Sequence, residues 1–243
     1  MPILIFLVLH WYLSLFSQTF FLHRYGAHKM FTMSPFWEKF FFLFTWFTQG
    51  SSYLNPRAYA VMHRMHHAYS DTEMDPHSPH YFRDAFQMIW KTKDYYNALV
   101  NYKVIPEARF DKNYPEWPAM EKMAESNISR YIFAAGYIAF YAFFATSWWM
   151  WLFLPIHFFI GPIQGAIVNW AGHKYGYTNF NDGDQSKNTL FFDFLLMGEL
   201  FQNNHHHYAA RSNFGTRWWE IDPVYPVIKL LNAVGIVKIV KAA

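Results

Sequence analysis

From Tyr131 to Ala171 the chain carries no Asp, Glu, Lys or Arg. A run of that length supplies two membrane spans of about 20 residues each, and few water-soluble folds could hide it. Trp148, Trp149, Trp151 and Pro155 lie near its middle, and a Trp cluster marks a turn at a membrane–water boundary. Residues 131–171 are therefore expected to form a helical hairpin. Pro2 to Leu22 is also free of charged residues and long enough for one span. It lacks the basic start and small-residue cleavage site of a signal peptide, which makes it an anchor. A third apolar stretch, 36–54, is shorter in its uncharged core: Phe40 to Phe47 lies between Glu38–Lys39 and Gln49-Gly50-Ser51-Ser52. It suits an interfacial or re-entrant segment better than a span.

Composition agrees with a membrane protein. Hydrophobic residues make up 53% and charged residues 15% of the chain, against about 25% charged in an ordinary soluble domain. The 20 Lys and Arg fall in 24–130 and 174–243. If the hairpin crosses and returns, both basic segments share one face, which the positive-inside rule makes cytoplasmic. The expectation is an all-α integral membrane protein with about three transmembrane helices and an interfacial helix. Residues 55–130 and 172–243 would form a helical cytoplasmic cap, all within one domain, 1–243. A net charge of +3 is too small to argue for nucleic acid. The absence of Cys excludes disulfides and thiolate metal sites, leaving 13 histidines as the soft donors.

Those histidines are grouped. His23-Arg24-Tyr25-Gly26-Ala27-His28 comes directly after the first span, and His63-Arg64-Met65-His66-His67 places three imidazoles at i, i+3 and i+4, one helix face. Asn169 and His173 stand one turn apart at the end of the hairpin. Gln202-Asn203-Asn204-His205-His206-His207 repeats the i, i+3, i+4 face with Gln202, His205 and His206; a register through Asn203, His206 and His207 is the alternative. The four groups all succeed or flank apolar segments and fall on one membrane side in this topology. An imidazole-rich, thiolate-free donor set suits a non-haem iron pair better than a four-ligand zinc site. His10 lies within the first span, about 20 Å from His23 at 1.5 Å per residue, and His157 lies toward the far face. Neither is expected to be a ligand. His77 and His80 are expected to support ligands or face substrate.

In order and spacing these groups resemble the membrane fatty acid desaturase family, particularly its acyl-CoA enzymes acting at the ninth carbon. HRYGAH, HRMHH, NWAGH and GELFQNNHHHY cover most of the chain, and Asp71 to His77 resembles the family's segment just after its second histidine group. The resemblance implies a mushroom-like helical protein with two ferrous ions over a bent acyl tunnel and dioxygen as oxidant. It makes His23, His28, His63, His66, His67, His173, His205 and His206 iron ligands, lets Asn169 reach a metal through water, and gives Glu199 the task of orienting an imidazole N–H. The sequence departs from the family at Gln202, where a ninth His is usual; this side chain would ligate weakly, reach through water, or leave a vacancy. The family also has a further span ahead of the first group, so the start at Met1-Pro2 reads as a three-span variant or a shortened one.

Removing hydrogens from unactivated methylenes is beyond any side chain, so the oxidant must be a cofactor. No Fe–S motif, haem domain or nucleotide-binding loop is evident, which implies a separate electron donor, a ferredoxin or b-type cytochrome with its reductase. The substrate would be an acyl-CoA or acyl-lipid, and the location a bacterial inner membrane with the site facing the cytoplasm. The competing readings are a hydroxylase with the same centre, a zinc-dependent membrane hydrolase, and a non-catalytic lipid- or metal-binding membrane protein.

Overall fold

The computed structural model describes residues 1–240. Helix α1 (Pro2–Phe16) starts on a proline, which fits the first turn because its missing N–H needs no partner there. It runs on without a break as a widened π-helical segment, Ser17–Ala27, to give one helix of 26 residues. The exterior of α1 is apolar: Ile5, Val8 and Leu9 are about half exposed, while His10, Ser14 and Ser17 are buried. That is the reverse of a water-soluble helix, which buries its apolar stripe and exposes its polar one.

Strand β1 (Phe31–Met33) leads into α2 (Pro35–Gln49), which buries Phe41, Phe42 and Thr45 and exposes Phe36, Phe40 and Phe47. A short 3-10 turn, Gly50–Ser52, comes next. Gly50 has φ +52°, and a Cβ there would lie 1.8 Å from the Tyr137 hydroxyl, so only glycine fits. Asn55 caps α3 (Pro56–Tyr69) by accepting from the Ala58 N–H at 2.9 Å, Asp84 caps α4 (Ala85–Val100) in the same way, and α5 (Pro118–Ala124) precedes α6 (Asn127–Phe144). A 3-10 segment, Trp148–Phe153, then leads to α7 (Leu154–Phe158), α8 (Ile160–Lys174), α9 (Gln202–His207) and α10 (Val224–Ala233). Finally β2 (Val237–Ile239) pairs antiparallel with β1, Phe31 opposite Ile239. The main core packs Phe20, Phe21 and Leu22 of the π segment against Phe31, Phe41, Phe42, Phe201 and Phe214.

One expectation needs correction. The fold is mostly helical but not all-α, because β1 and β2 form a two-stranded sheet. Within residues 131–171, α6 ends at Phe144, and the part that follows is bent: Trp148–Phe158 and Ile160–Lys174 meet at 75°. Pro162 explains the break, since its ring would clash with the carbonyl four residues back, at Phe158, where α7 ends. Between α8 and α9, and again between α9 and α10, the chain is irregular. Among the described residues one helix, Pro2–Ala27, is long and apolar enough to cross a membrane, and a second is available if the bent pair counts as one broken span.

Candidate metal centre

Four helical ends deliver the histidines. The π segment brings His23 and His28 together. Residues five apart lie roughly 140° apart around an α-helix, but here the His28 N–H donates to the His23 carbonyl at 3.1 Å, the i+5 bond of a widened turn, and the rings stand 5.1 Å apart. His63, His66 and His67 come from the C-terminal half of α3, His173 from the last turn of α8, and His205 and His206 from α9.

These side chains gather into two adjoining sets. His23, His28, His63, His67 and His205 form one; His66, His173 and His206 form the other. The three imidazoles of α3 therefore do not converge on a point but divide two to one, and His205 and His206 divide likewise. Positions i+3 and i+4 lie on opposite sides of position i, about 100° from each other. His67 and His206 stack at 4.4 Å where the sets meet.

In the second set every Nδ1–H donates to a carboxylate: His66 to Asp75 at 2.8 Å, His173 to Asp71 at 2.9 Å and His206 to Asp184 at 2.6 Å. This fixes the tautomer and leaves each Nε2 a bare lone pair. Those lone pairs face one another, with His66 Nε2 3.1 Å from His173 Nε2 and 3.2 Å from His206 Nε2. In the first set His23 Nδ1 donates to Glu199 at 2.9 Å, and the Nε2 contacts are His23–His205 and His67–His205 at 2.9 Å, His63–His67 at 3.0 Å and His28–His63 at 2.6 Å. Burial first, and neighbouring imidazoles second, hold His63, His66, His67 and His205 well below the ordinary histidine range, so they stay neutral. Bare lone pairs aimed at one another in a buried space, as in the second set, repel unless a cation lies between them. The donor set thus fits a pair of metal ions, and imidazole is a ligand iron accepts.

The remaining residues singled out from sequence take varied positions. Glu199 is buried and, besides His23, accepts from Thr19 and contacts Arg24 at 3.4 Å. Gln202 is buried beside His205, but its amide Nε2 donates to the Glu199 carbonyl at 2.6 Å. Its chain lies over Gly172, where a Cβ would come within 2.4 Å of the Gln202 Cγ. Asn169 is half-buried on α8, one turn before His173. The alternative register is not the one gathered here: Asn203 accepts from the N–H groups of Asn179 and Phe180, and His207 turns away to donate to Asp182 at 2.7 Å while stacking on Phe180. His77 is buried 4.6 Å from the His66 ring, with both nitrogens unpartnered; with His66 and Asp75 it makes a third possible donor set. Burial lowers His77 to about 3. His80 donates to the His173 carbonyl at 2.9 Å. His10 and His157 lie apart from both sets and meet each other.

The carboxylates Asp71, Asp75 and Asp184 went unread as partners. Their signal was present, since Asp71 and Asp75 stand one turn apart directly after the second histidine group, and Asp184 ends Asn181-Asp182-Gly183-Asp184. Burial opposes the charge on Asp71 and Asp184, but the hydrogen bonds from His173 and His206 outweigh it and hold both carboxyls below their usual range.

A mostly helical protein with clustered, carboxylate-backed imidazoles is a candidate metalloenzyme. The profile of the fatty acid desaturase family matches residues 1–233, and the chain belongs to that family. It is an oxidoreductase, as the family's named members are. It is 29% identical over 241 residues to an sn-1 stearoyl-lipid 9-desaturase of Anabaena variabilis, covering 98% of this chain and 83% of that one. It is 30% identical over 238 residues to an acyl-CoA C20 Delta5-desaturase of Anemone leveillei, covering 94% and 70%. A palmitoyl-monogalactosyldiacylglycerol delta-7 desaturase of Arabidopsis thaliana is 29% identical over 234 residues, covering 94% and 59%.

Proposed function

We propose that this chain introduces a double bond into a fatty acyl chain, using dioxygen and two ferrous ions held by its eight clustered histidines. The observation that carries the reading is the second set, where each Nδ1 is committed to a carboxylate and the Nε2 lone pairs so left bare face one another at 3.1–3.2 Å. His23, His28, His63, His67 and His205 hold one ion; His66, His173 and His206 hold the other, with Gln202 and Asn169 as weak or water-mediated donors. Glu199, Asp71, Asp75 and Asp184 orient the rings. The metal pair supplies the oxidising power that side chains lack. In the balanced reaction a –CH2–CH2– unit becomes –CH=CH–. Its two hydrogens, joined by two electrons and two protons from outside, reduce dioxygen to two waters.

The finer details are also proposals. The relatives act on lipid-bound and CoA-bound chains at different carbons; the stearoyl-lipid relative, which spans the largest share of this chain among these, favours the ninth carbon. The electrons come from a separate donor, a ferredoxin or a b-type cytochrome with its reductase. The apolar exterior of α1 around a polar interior supports a multi-pass protein in a bacterial inner membrane, its histidine end in the cytoplasm. One domain, 1–243, then comprises span 1–22, the interfacial segment 36–54, the paired apolar region 131–171 and a cap from 55–130 and 172–243.

The test is fatty acid analysis of a desaturase-deficient host expressing the chain beside a His66→Ala control. A new monounsaturated acid that disappears in the control is the expected outcome, and its double-bond position fixes the regiochemistry. A hydroxylated acid instead would transfer the site to a hydroxylase.

A further inference from the structure

The irregular stretch between α8 and α9 has a surface unlike that of a loop in water. Phe191, Phe192, Phe194 and Leu195 are 51–62% exposed, while Asp193 in their midst is completely buried. A loop in water does the opposite, exposing its carboxylate and covering its aromatic rings. From Thr189 to Gly198 no polar side chain is exposed, and Asp193 is the sole charged residue.

The contacts of Asp193 explain its burial. Its Oδ1 accepts from the Leu196 N–H at 2.9 Å, and its Oδ2 from the Gly198 and Leu200 N–H groups at 3.0 and 2.8 Å. Leu196 and Leu200 pack with Leu15 of α1 and Val168 of α8. The Leu195 carbonyl accepts from the Trp11 indole N–H at 3.0 Å. Irregular backbone inside hydrocarbon is tolerated only where its polar groups find partners within the protein. Asp193 and Trp11 supply such partners at this turn.

Trp11 also gives the depth. It lies near the middle of the charge-free run Pro2–Leu22, about 18 Å before His23 at 1.5 Å per residue. Around it α1 exposes Leu9, Tyr12 and Leu13. Earlier in the stretch, Phe192 pairs with Ile221. The next residue, Asp222, accepts from Arg24 at 2.8 Å, and Arg24 adjoins His23 on the π segment. The chain thus descends from the level of the histidines to that of Trp11 and climbs back to Glu199, the partner of His23. Trp218, three residues before Ile221, is 90% exposed, as suits a residue at the headgroup boundary.

We infer that Phe191–Leu195 is a re-entrant segment inserted into the hydrocarbon of the bilayer beside α1, with Trp218 and Ile221 at its boundary. This rests on the membrane reading of α1 proposed above. Lipid is the partner, because the exposed rings adjoin the apolar exterior of α1 through the Trp11–Leu195 bond, and the segment has none of the polar side chains that rim a protein interface. Because Glu199 follows this turn directly, the insertion ties a partner of His23 to the bilayer.

The chain has no Cys, so single cysteines can carry an NBD fluorophore on the full, iron-loaded chain in phosphatidylcholine nanodiscs. The quenchers are phosphatidylcholine with a nitroxide at the fifth or the twelfth acyl carbon, and iodide in the water. Leu9→Cys, on the exterior of α1, is the lipid reference; Lys103→Cys, exposed just beyond α4, is the aqueous one. Phe192→Cys and Phe194→Cys report on the segment, and Trp218→Cys on its boundary. The label at 194 should follow that at 9, quenched by the twelfth-carbon nitroxide and roughly fivefold less by iodide than the label at 103, since hydrocarbon excludes ions. The labels at 192 and 218 should respond more to the fifth-carbon nitroxide. Iodide quenching at both 192 and 194 equal to that at 103, with position 9 still quenched by lipid, would overturn the insertion and leave the membrane reading standing. Labels at 192 and 194 that neither quencher reaches would place protein over the segment, a second copy included, and overturn it as well. Free access of iodide to position 9 would remove the membrane reading of α1 and the insertion together.

Discussion

His10 and His23 are on one continuous helix, about 20 Å apart along its axis, and both are buried. At the His10 end the Tyr141 hydroxyl donates to His157 Nε2 at 2.9 Å, which leaves His157 Nδ1 to donate to His10 Nδ1 at 2.7 Å. Phe6 and Tyr137 stack and tilt against the pair, and no carboxylate hydrogen-bonds to it. At the His23 end the order is reversed. A carboxylate takes Nδ1–H, and Nε2 faces another Nε2. The first arrangement is a chain of donors and acceptors that ends at His10 Nε2, which is buried without a partner; the second crowds the Nε2 atoms of several imidazoles together, an arrangement that a cation would relieve. Burial of an imidazole is thus no sign of metal binding, while the gathering of its Nε2 with the Nε2 atoms of other imidazoles is.

The comparison breaks most visibly where a carboxylate is removed. Asp75→Asn leaves the volume of the site unchanged but allows the amide to present an N–H to His66 Nδ1, which reverses the tautomer. Iron affinity should fall by about 10- to 100-fold, read by competition with a chelator, and product formation should fall with it. Unchanged affinity would mean that Asp75 serves the 71–77 loop through its bonds from the Asp71 and His77 N–H groups and not the imidazole. At the other end, His157→Phe removes two buried interhelical hydrogen bonds within the apolar bundle. The expected loss is about 1–2 kcal/mol of stability, read as a lower midpoint of thermal unfolding in lipid or detergent, with iron per chain unchanged. Loss of iron would show that the two ends are coupled along α1.

The range of each interaction decides whether the sequence discloses it. The grouping of the histidines, their order and the distance of His10 and His157 from the clusters were legible, because spacing along a helix and along a span is local information. The division of His63, His66 and His67 between two sets was not, since it depends on where α8 and α9 deliver His173 and His206. The i+5 pairing of His23 with His28 required a π-helical stretch that no residue of Ser17–Ala27 announces. The bend at Phe159 was within reach, as Pro162 sits where a continuous second arm would need an N–H. The pairing of β1 with β2 joins Phe31 to Ile239 across nearly the whole chain, and three-residue strands leave too short an alternation to be read.

The smallest effect falls on the histidine next to the site. His207 directly succeeds two clustered imidazoles, yet its Nδ1 donates to Asp182 and its ring lies flat on Phe180 at 3.8 Å. Both partners of that hydrogen bond are about 30% exposed, a setting in which water competes for both groups and such a pair is worth about 0–1 kcal/mol. His207→Ala should therefore lower stability by less than about 1 kcal/mol and leave two irons per chain and the product profile intact. The same substitution at His206, one residue earlier, should lose an iron. If instead His207→Ala emptied a metal position and His206→Ala did not, the register through Asn203 would be the functional one, and the rule drawn from Nε2 contacts would fail at the place where it is easiest to test.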